Sequence, residues 1–353
     1  MTTENPDLRS LGLGLPGVND IKLYGWDLKT ENLYSRAQKH RTCAPQTLEL
    51  AADALKSMTP TPATLAGSAA VGEWIKKQSE ALLAAAHQQG VQQIVLVNLL
   101  PTEPTTWQQD DSRIDWRSLR DVRADHRGVT PSRLYFRLAI EAGAHFVNFT
   151  PNMAETAGLT ALAEEKKLLY CGRDGKTGQT YLKTVLAPAF RNKNFQLDGW
   201  FSTNLLGNSD GLNLSNPDSL LAKQHSKHKC LERIMAPQTL SDPAAHQVHI
   251  HYYPPRGDAK EAWDNIDLTG FLGETIQLKL NWLGKDSVLG APAVLDLTRL
   301  THAAAQRSQA GCLDALAFFF KDPVTGPMSE PVHSSPAQYQ VLLRYLQSLA
   351  APG

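Results

Sequence analysis

Three turns rich in glycine and aspartate each lie close to a lysine: Gly172-Arg173-Asp174-Gly175-Lys176-Thr177-Gly178-Gln179-Thr180, Leu206-Gly207-Asn208-Ser209-Asp210-Gly211 and Pro254-Pro255-Arg256-Gly257-Asp258-Ala259-Lys260. Glycine lets the backbone turn tightly, a carboxylate accepts from hydroxyls, and an ammonium group binds phosphate and carries protons. Together the turns suggest one polar pocket for a phosphorylated, hydroxyl-rich substrate.

Further lysines fit that chemistry. Lys223 and Lys227 are four apart in an expected helix and so share one face. Two cations there suit a phosphate monoester, or a lysine acting as a base; a solvated surface face is the other reading. Lys321 follows the apolar run Ala317-Phe318-Phe319-Phe320 and so emerges from a core element. The stretch 172–180 opens a helix whose first N–H groups, beside Thr177, Gly178 and Thr180, can hold an anion; an ordinary capped helix start is the alternative. It is not a GxxxxGK[ST] phosphate loop. Asp27 closes an expected strand. There an acidic residue can hold the ribose hydroxyls of a dinucleotide, or simply cap a turn. His249 and His251 would share one face of a strand, but no cysteine or carboxylate stands at a supporting spacing, so they read as exposed strand histidines and no metal site is expected.

Strand-like runs at 21–24, 93–98, 145–150 and 167–171 alternate with helical stretches around 46–58, 66–90, 131–142 and 154–165. This rhythm predicts an α/β fold with a doubly wound, Rossmann-like parallel sheet, whose ligands bind beyond the carboxyl ends of the strands. After about residue 195 the pattern changes. Polar and apolar residues alternate over 195–201, 246–253 and 275–282, which predicts a sheet with one face packed and the other solvated or paired with a partner chain. A long apolar helix is expected from Asp286, and an amphipathic helix near 337–350. The expected organisation is a first domain of residues 1–195 plus 287–353, with an inserted α+β domain at 196–286. The stretch 102–128, polar and mixed in charge, reads as a surface excursion.

The 353 residues carry 35 basic and 35 acidic side chains, so no global field favours nucleic acid or an anionic membrane. Cys43, Cys171, Cys230 and Cys312 form no CxxC and read as reduced thiols. No signal core and no membrane-spanning apolar run is visible, so a cytoplasmic protein is expected.

In order and spacing, over roughly residues 20 to 348, the chain resembles the inositol-3-phosphate synthase (myo-inositol-1-phosphate synthase) family in its bacterial form. The segments that carry the resemblance are Tyr24-Gly25-Trp26-Asp27, Asn148-Phe149-Thr150-Pro151, the 174–180 and 206–211 turns, Gly257-Asp258-Ala259-Lys260, Lys285-Asp286-Ser287-Val288-Leu289 with Pro292, and Lys321-Asp322-Pro323. The resemblance implies conversion of D-glucose 6-phosphate to 1D-myo-inositol 3-phosphate, with NAD as cofactor. It implies oxidation at C5, enolisation, an intramolecular aldol closure and re-reduction. It assigns catalysis to Lys223, Lys227, Lys260, Lys321 and Asp286. It places Asp27, Thr150, Pro151, Asp174, Thr177, Gly178, Asn208, Asp210, Gly257 and Asp258 along the cofactor and pocket groove. It implies a homotetramer assembled through the inserted domain, which serves catalysis and tetramerisation. It also implies a first strand and a glycine-rich loop ahead of the strand that ends at Asp27. The run Leu11-Gly12-Leu13-Gly14-Leu15 has no strand before it and no helix after it, so this first βα unit is expected to be missing. A non-catalytic sugar-phosphate-binding or assembly protein that has lost NAD binding is therefore the competing expectation.

Overall fold

The computed structural model describes residues 1–63, 70–104, 114–119, 122–126, 128–214, 231, 233–235, 243–326 and 331–351. Lys223 and Lys227, with His225 and His228, lie outside them. Ten strands are described: β1 (Trp26–Asp27), β2 (Thr61–Pro62), β3 (Val95–Asn98), β4 (His145–Asn148), β5 (Leu169–Gly172), β6 (Gln196–Leu206), β7 (His246–Tyr252), β8 (Ala259–Thr269), β9 (Thr275–Lys285) and β10 (Gly311–Cys312).

The first sheet has the order β10-β5-β4-β3, every pair parallel. Side chains on β4 alternate between two cores, as a sheet buried on both faces requires. Phe146 stacks on Phe136, ring centroids 4.4 Å apart, in the core built with helices Val71–Gln88, Pro131–Glu141 and Ala157–Glu165. Val147 faces the other core, with Leu297 and Leu300 of helix Asp286–Ala305 and Leu342 and Leu346 of helix Ser335–Ala350. Burying each such side chain contributes about 1.5–3 kcal/mol. The doubly wound, Rossmann-like α/β arrangement is thus present.

The second sheet has the order β7-β6-β8-β9, with β6 and β7 parallel and the other pairs antiparallel. Its inner face packs Trp200, Ile266 and Leu268 on Ala187 and Phe190 of helix Gln179–Asn192. The same contact holds a buried polar knot. Asp264 accepts from Trp200 Nε1 at 2.6 Å, Ser202 Oγ at 2.7 Å and Gln179 Nε2 at 2.9 Å. The outer face leaves Phe201, Trp263 and Leu283 exposed. His249 and His251 lie there too, with rings parallel and centroids 6.3 Å apart.

Two expectations are corrected, and one strand went unread. No strand forms at 21–24; the strand is Trp26–Asp27, and it pairs with β2 rather than with the first sheet. Trp26 instead packs against Tyr135, and its N–H donates to Gln78. The periodicity reading missed β8, whose Lys260, Glu261 and Ala262 are all buried and so hide the alternation. The described part of 102–128 is no surface excursion, because Thr102, Glu103, Ile114, Trp116 and Leu119 are buried. Glu103 works there as a remote cap, accepting from Ser132 N and Oγ at the start of helix Pro131–Glu141. The Leu11–Leu15 glycine run is an apolar strap. Leu11, Leu13 and Leu15 pack on the core that holds Leu297 and Leu300, while Gly12 and Gly14 turn at φ +62° with open space beside them. Among the described residues, no helix is long and apolar enough to cross a membrane.

Candidate active site

The 172–178 turn leaves the carboxyl end of β5 and runs antiparallel to 319–324. Backbone bonds tie the two: Arg173 and Asp322 exchange N–H···O contacts, Lys321 N donates to Asp174 O, and Lys176 N donates to Phe319 O. Gly175 is required by space, since a Cβ there would lie 2.1–2.4 Å from the Phe149 ring. The turn is therefore pressed against the end of β4. There Asp174 N donates to Thr150 O, and Thr150 Oγ1 donates to Asn148 Oδ1.

Two ion pairs converge on this turn. Lys321 Nζ lies 2.7 Å from Asp174 Oδ1, and both side chains are buried. Lys260 Nζ lies 3.6 Å from Asp286 Oδ2, and Asp286 Oδ1 accepts from Thr177 Oγ1 at 3.1 Å. Residues from β5, β8 and helix Asp286–Ala305, together with the segment before Pro323, thus meet around Asp174–Gly178. At Gly178 helix Gln179–Asn192 begins, with the buried Trp282 Nε1 next to it: a Cβ on Gly178 would lie 3.4 Å from that nitrogen. Among the described residues, Trp282 Nε1 has no hydrogen-bond partner. A helix N-terminus beside an unpaired indole donor suits an anionic oxygen.

The other two turns touch backbone to backbone. A Cβ on Gly207 would lie 2.4 Å from Gly257 N, which explains the glycine. Gly257 itself needs φ +56°. Asn208 caps the short helix Ser209–Asn213 through Gly211 N and also reaches Asp258. Asp258 N donates to His40 O at the end of helix Leu33–His40, and its carboxylate accepts from Ser287 N and Oγ. Burial raises the Asp258 carboxyl above its ordinary range, and the two Ser287 contacts oppose that rise. Asp210 sits on helix Ser209–Asn213 at the same corner. Asp27 stands at the end of β1, half-exposed, with Arg36 Nη1 3.0 Å from Oδ2 and Lys29 N donating to Oδ1.

Of the residues marked in the sequence, Thr150, Asp174, Thr177, Gly178, Lys260, Asp286 and Lys321 form one connected cluster. Asn208, Gly257 and Asp258 join it through Ser287. Pro151 follows Thr150 at the head of β4. Asp27 stands apart with its own arginine.

Sequence reasoning missed a third charged group. Arg173 donates from Nε and Nη2 to Asp322 Oδ2 at 2.9 and 2.7 Å, and its Nη1 is 3.8 Å from Glu155 Oε2. Glu155 is enclosed, with its carboxyl raised by burial. Arg233 Nη1 lies 3.8 Å from Asp322 Oδ1 and 2.9 Å from His333 Nε2. Asp322 was visible as the neighbour of Lys321. Glu155 carried no signal, since Pro-Asn-Met-Ala-Glu reads as an ordinary loop before a helix.

A sequence profile of the family described as Myo-inositol-1-phosphate synthase matches residues 178–287. That span contains β6 to β9 and the Lys260 and Asp286 pair. The chain is 32% identical to inositol-3-phosphate synthase 1 of Bacteroides thetaiotaomicron, covering 95% of this chain and 82% of that one. The chain belongs to the inositol-3-phosphate synthase family. It is 29% identical to the inositol-3-phosphate synthase of Saccharomyces cerevisiae over 65% of its length, and spans 48% of that longer protein. The crystal structure of inositol-3-phosphate synthase from Caenorhabditis elegans superposes with a TM-score of 0.87 at 23% identity, over 96% of this chain and 72% of that one. The fold is therefore that of a synthase, including the segments outside 178–287 that supply Asp174 and Lys321.

Proposed function

We propose that this chain is an NAD-dependent isomerase that converts D-glucose 6-phosphate to 1D-myo-inositol 3-phosphate. The observation that carries the reading is the convergence of two lysine–carboxylate pairs, Lys321–Asp174 and Lys260–Asp286, on a turn that also opens a helix. Family membership supplies the reaction. An ammonium group fixed by one carboxylate can give up or receive a proton at a defined point, and can stabilise enolate or alkoxide charge on the sugar. The helix start at Gly178, with Trp282 Nε1, is suited to the substrate's phosphate. Lys223 and Lys227 complete the proposed catalytic set.

NAD supplies reversible oxidation of a sugar hydroxyl. Asp27 retains a half-exposed carboxylate at the end of its strand and fits a ribose hydroxyl pair, although Arg36 shares it. Thr150, Pro151, Asp174 and Asn208 would line the remainder of the groove, at the carboxyl ends of the strands where such folds bind nucleotides.

We assign residues 196–286 to a catalytic and oligomerisation domain, and 1–195 with 287–353 to the nucleotide-binding domain. The exposed Phe201, Trp263 and Leu283 on the outer sheet face suit a homotetramer interface. Work in the cytoplasm fits this reading. The test is to incubate the purified chain with NAD and glucose 6-phosphate and to assay inositol phosphate. Formation of product supports the reading. A folded chain that binds neither cofactor nor substrate and forms no product overturns it.

A further inference from the structure

The antiparallel contact between 172–176 and 319–324 places charges on two neighbouring rungs with opposite polarity. One rung is Arg173 with Asp322; the next is Asp174 with Lys321. Arg173 therefore sits one residue from a second carboxylate, and Asp174 acts on it electrostatically. A guanidinium binds a carboxylate through a planar fork and outcompetes an ammonium when both can reach it. What keeps Arg173 off Asp174 is visible. Two of its nitrogens donate to Asp322 Oδ2, and its third faces Glu155 Oε2 at 3.8 Å. Arg233, in contact with His333, approaches the other oxygen of Asp322.

We infer, on the functional reading proposed above, that Asp322 and Glu155 are positioning residues that hold Arg173 and so reserve Asp174 for Lys321. Loss of Asp322 frees the arginine to take Asp174 and releases the lysine. Removing the arginine as well eliminates the competitor. The two substitutions therefore compensate each other, whereas two independent structural contacts would add their losses.

The experiment is competitive acylation of lysines with acetic anhydride, read peptide by peptide by mass spectrometry, on the full chain. Wild type, Asp322→Asn, Arg173→Gln and the double variant are compared. Lys183, fully buried against His246, reports whether the fold is kept, and exposed Lys279 reports reagent. Lys321 is expected to label roughly tenfold faster in Asp322→Asn, the size of effect expected from one lost charge-assisted hydrogen bond. It is expected to return to near the wild-type rate in the double variant. Equal labelling in wild type and Asp322→Asn, or labelling in the double variant at or above that of Asp322→Asn, overturns the inference. If Asp322→Asn exposes Lys183, Glu155→Gln replaces it, and the same ordering is required. Turnover of glucose 6-phosphate is measured alongside, with the inverse order expected in kcat: lowest in Asp322→Asn and restored towards wild type in the double variant. The labelling reads the Lys321 pair whether or not the chain turns over, so a failure of the proposed reaction is distinguishable from a failure of this inference.

Discussion

Asp258 holds Ser287 with both carboxylate oxygens, Oδ1 2.8 Å from the hydroxyl and Oδ2 3.2 Å from the backbone N. The contact ties the turn before β8 to the first residues of helix Asp286–Ala305. Lys260 and Asp286, the proposed catalytic pair, lie on either side of that tie. Ser287→Ala removes the hydroxyl half of it. Stability is expected to fall by about 1 kcal/mol. If the pair works as proposed, kcat falls while KM changes little. Urea denaturation and steady-state kinetics on one preparation check both effects, and a change confined to KM would contradict the positioning role.

Lys321→Ala is expected to reduce turnover by about 10³-fold or more, the scale of a lost proton-transfer group. It leaves Asp174 buried without this ammonium, so some stability is lost as well. Association state, measured by light scattering, is expected to stay as in wild type, because Lys321 lies away from the outer sheet face. Near-normal turnover removes Lys321 from the catalytic set.

Asp264 accepts from three buried donors that link helix Gln179–Asn192 to β6. Asp264→Ala strands all of them at once. The expected loss is about 3 kcal/mol or more, measured as a shift in the urea midpoint at unchanged slope. A loss below about 1 kcal/mol, the range of an ordinary surface substitution, would show that the knot is not what joins the second sheet to the helix.

His333 is pushed down to about 4, by burial first and by the Arg233 guanidinium second. Its folded value is below the unfolded one, so the unfolded chain binds more protons between the two. Stability from this group is complete above about pH 6.5 and is lost as pH falls towards about 4. The full effect is of order 3 kcal/mol. His333→Gln keeps an acceptor for Arg233 and removes the titration. The difference in unfolding free energy between pH 7 and pH 4.5 is expected to be smaller in this variant than in wild type. Equal differences would remove His333 from the acid response.

Much of the parallel sheet could be read from the sequence because β3, β4 and β5 are short apolar runs followed by turns and helices with clear apolar periods. Helices Pro131–Glu141 and Asp286–Ala305 were legible for the same reason, with Pro131 and Asp286 marking their starts. β8 was not legible. Its first half is buried without alternation, and Pro254-Pro255 upstream signals a turn rather than a strand. The lysines and aspartates of the site stood out because each sits beside glycine or an apolar run. Their pairing did not, since nothing local says that Lys321 meets Asp174 and Lys260 meets Asp286. Arg173 and Glu155 were invisible because their meaning lies in burial, which a single sequence encodes only through distant partners.

The antiparallel seam between 172–176 and 319–324 also sets an order of events during synthesis. Its hydrogen-bonded side chains are 147 residues apart in the chain. The first sheet can gather β3, β4 and β5 as they leave the ribosome, but Asp174 must wait for Lys321 until the second sheet and helix Asp286–Ala305 have been made. Contacts of such long sequence separation form slowly, and the intermediate holds a carboxylate destined for burial whose cation has yet to be translated. The proposed chemistry is thus switched on late, by the arrival of the segment that carries Lys321.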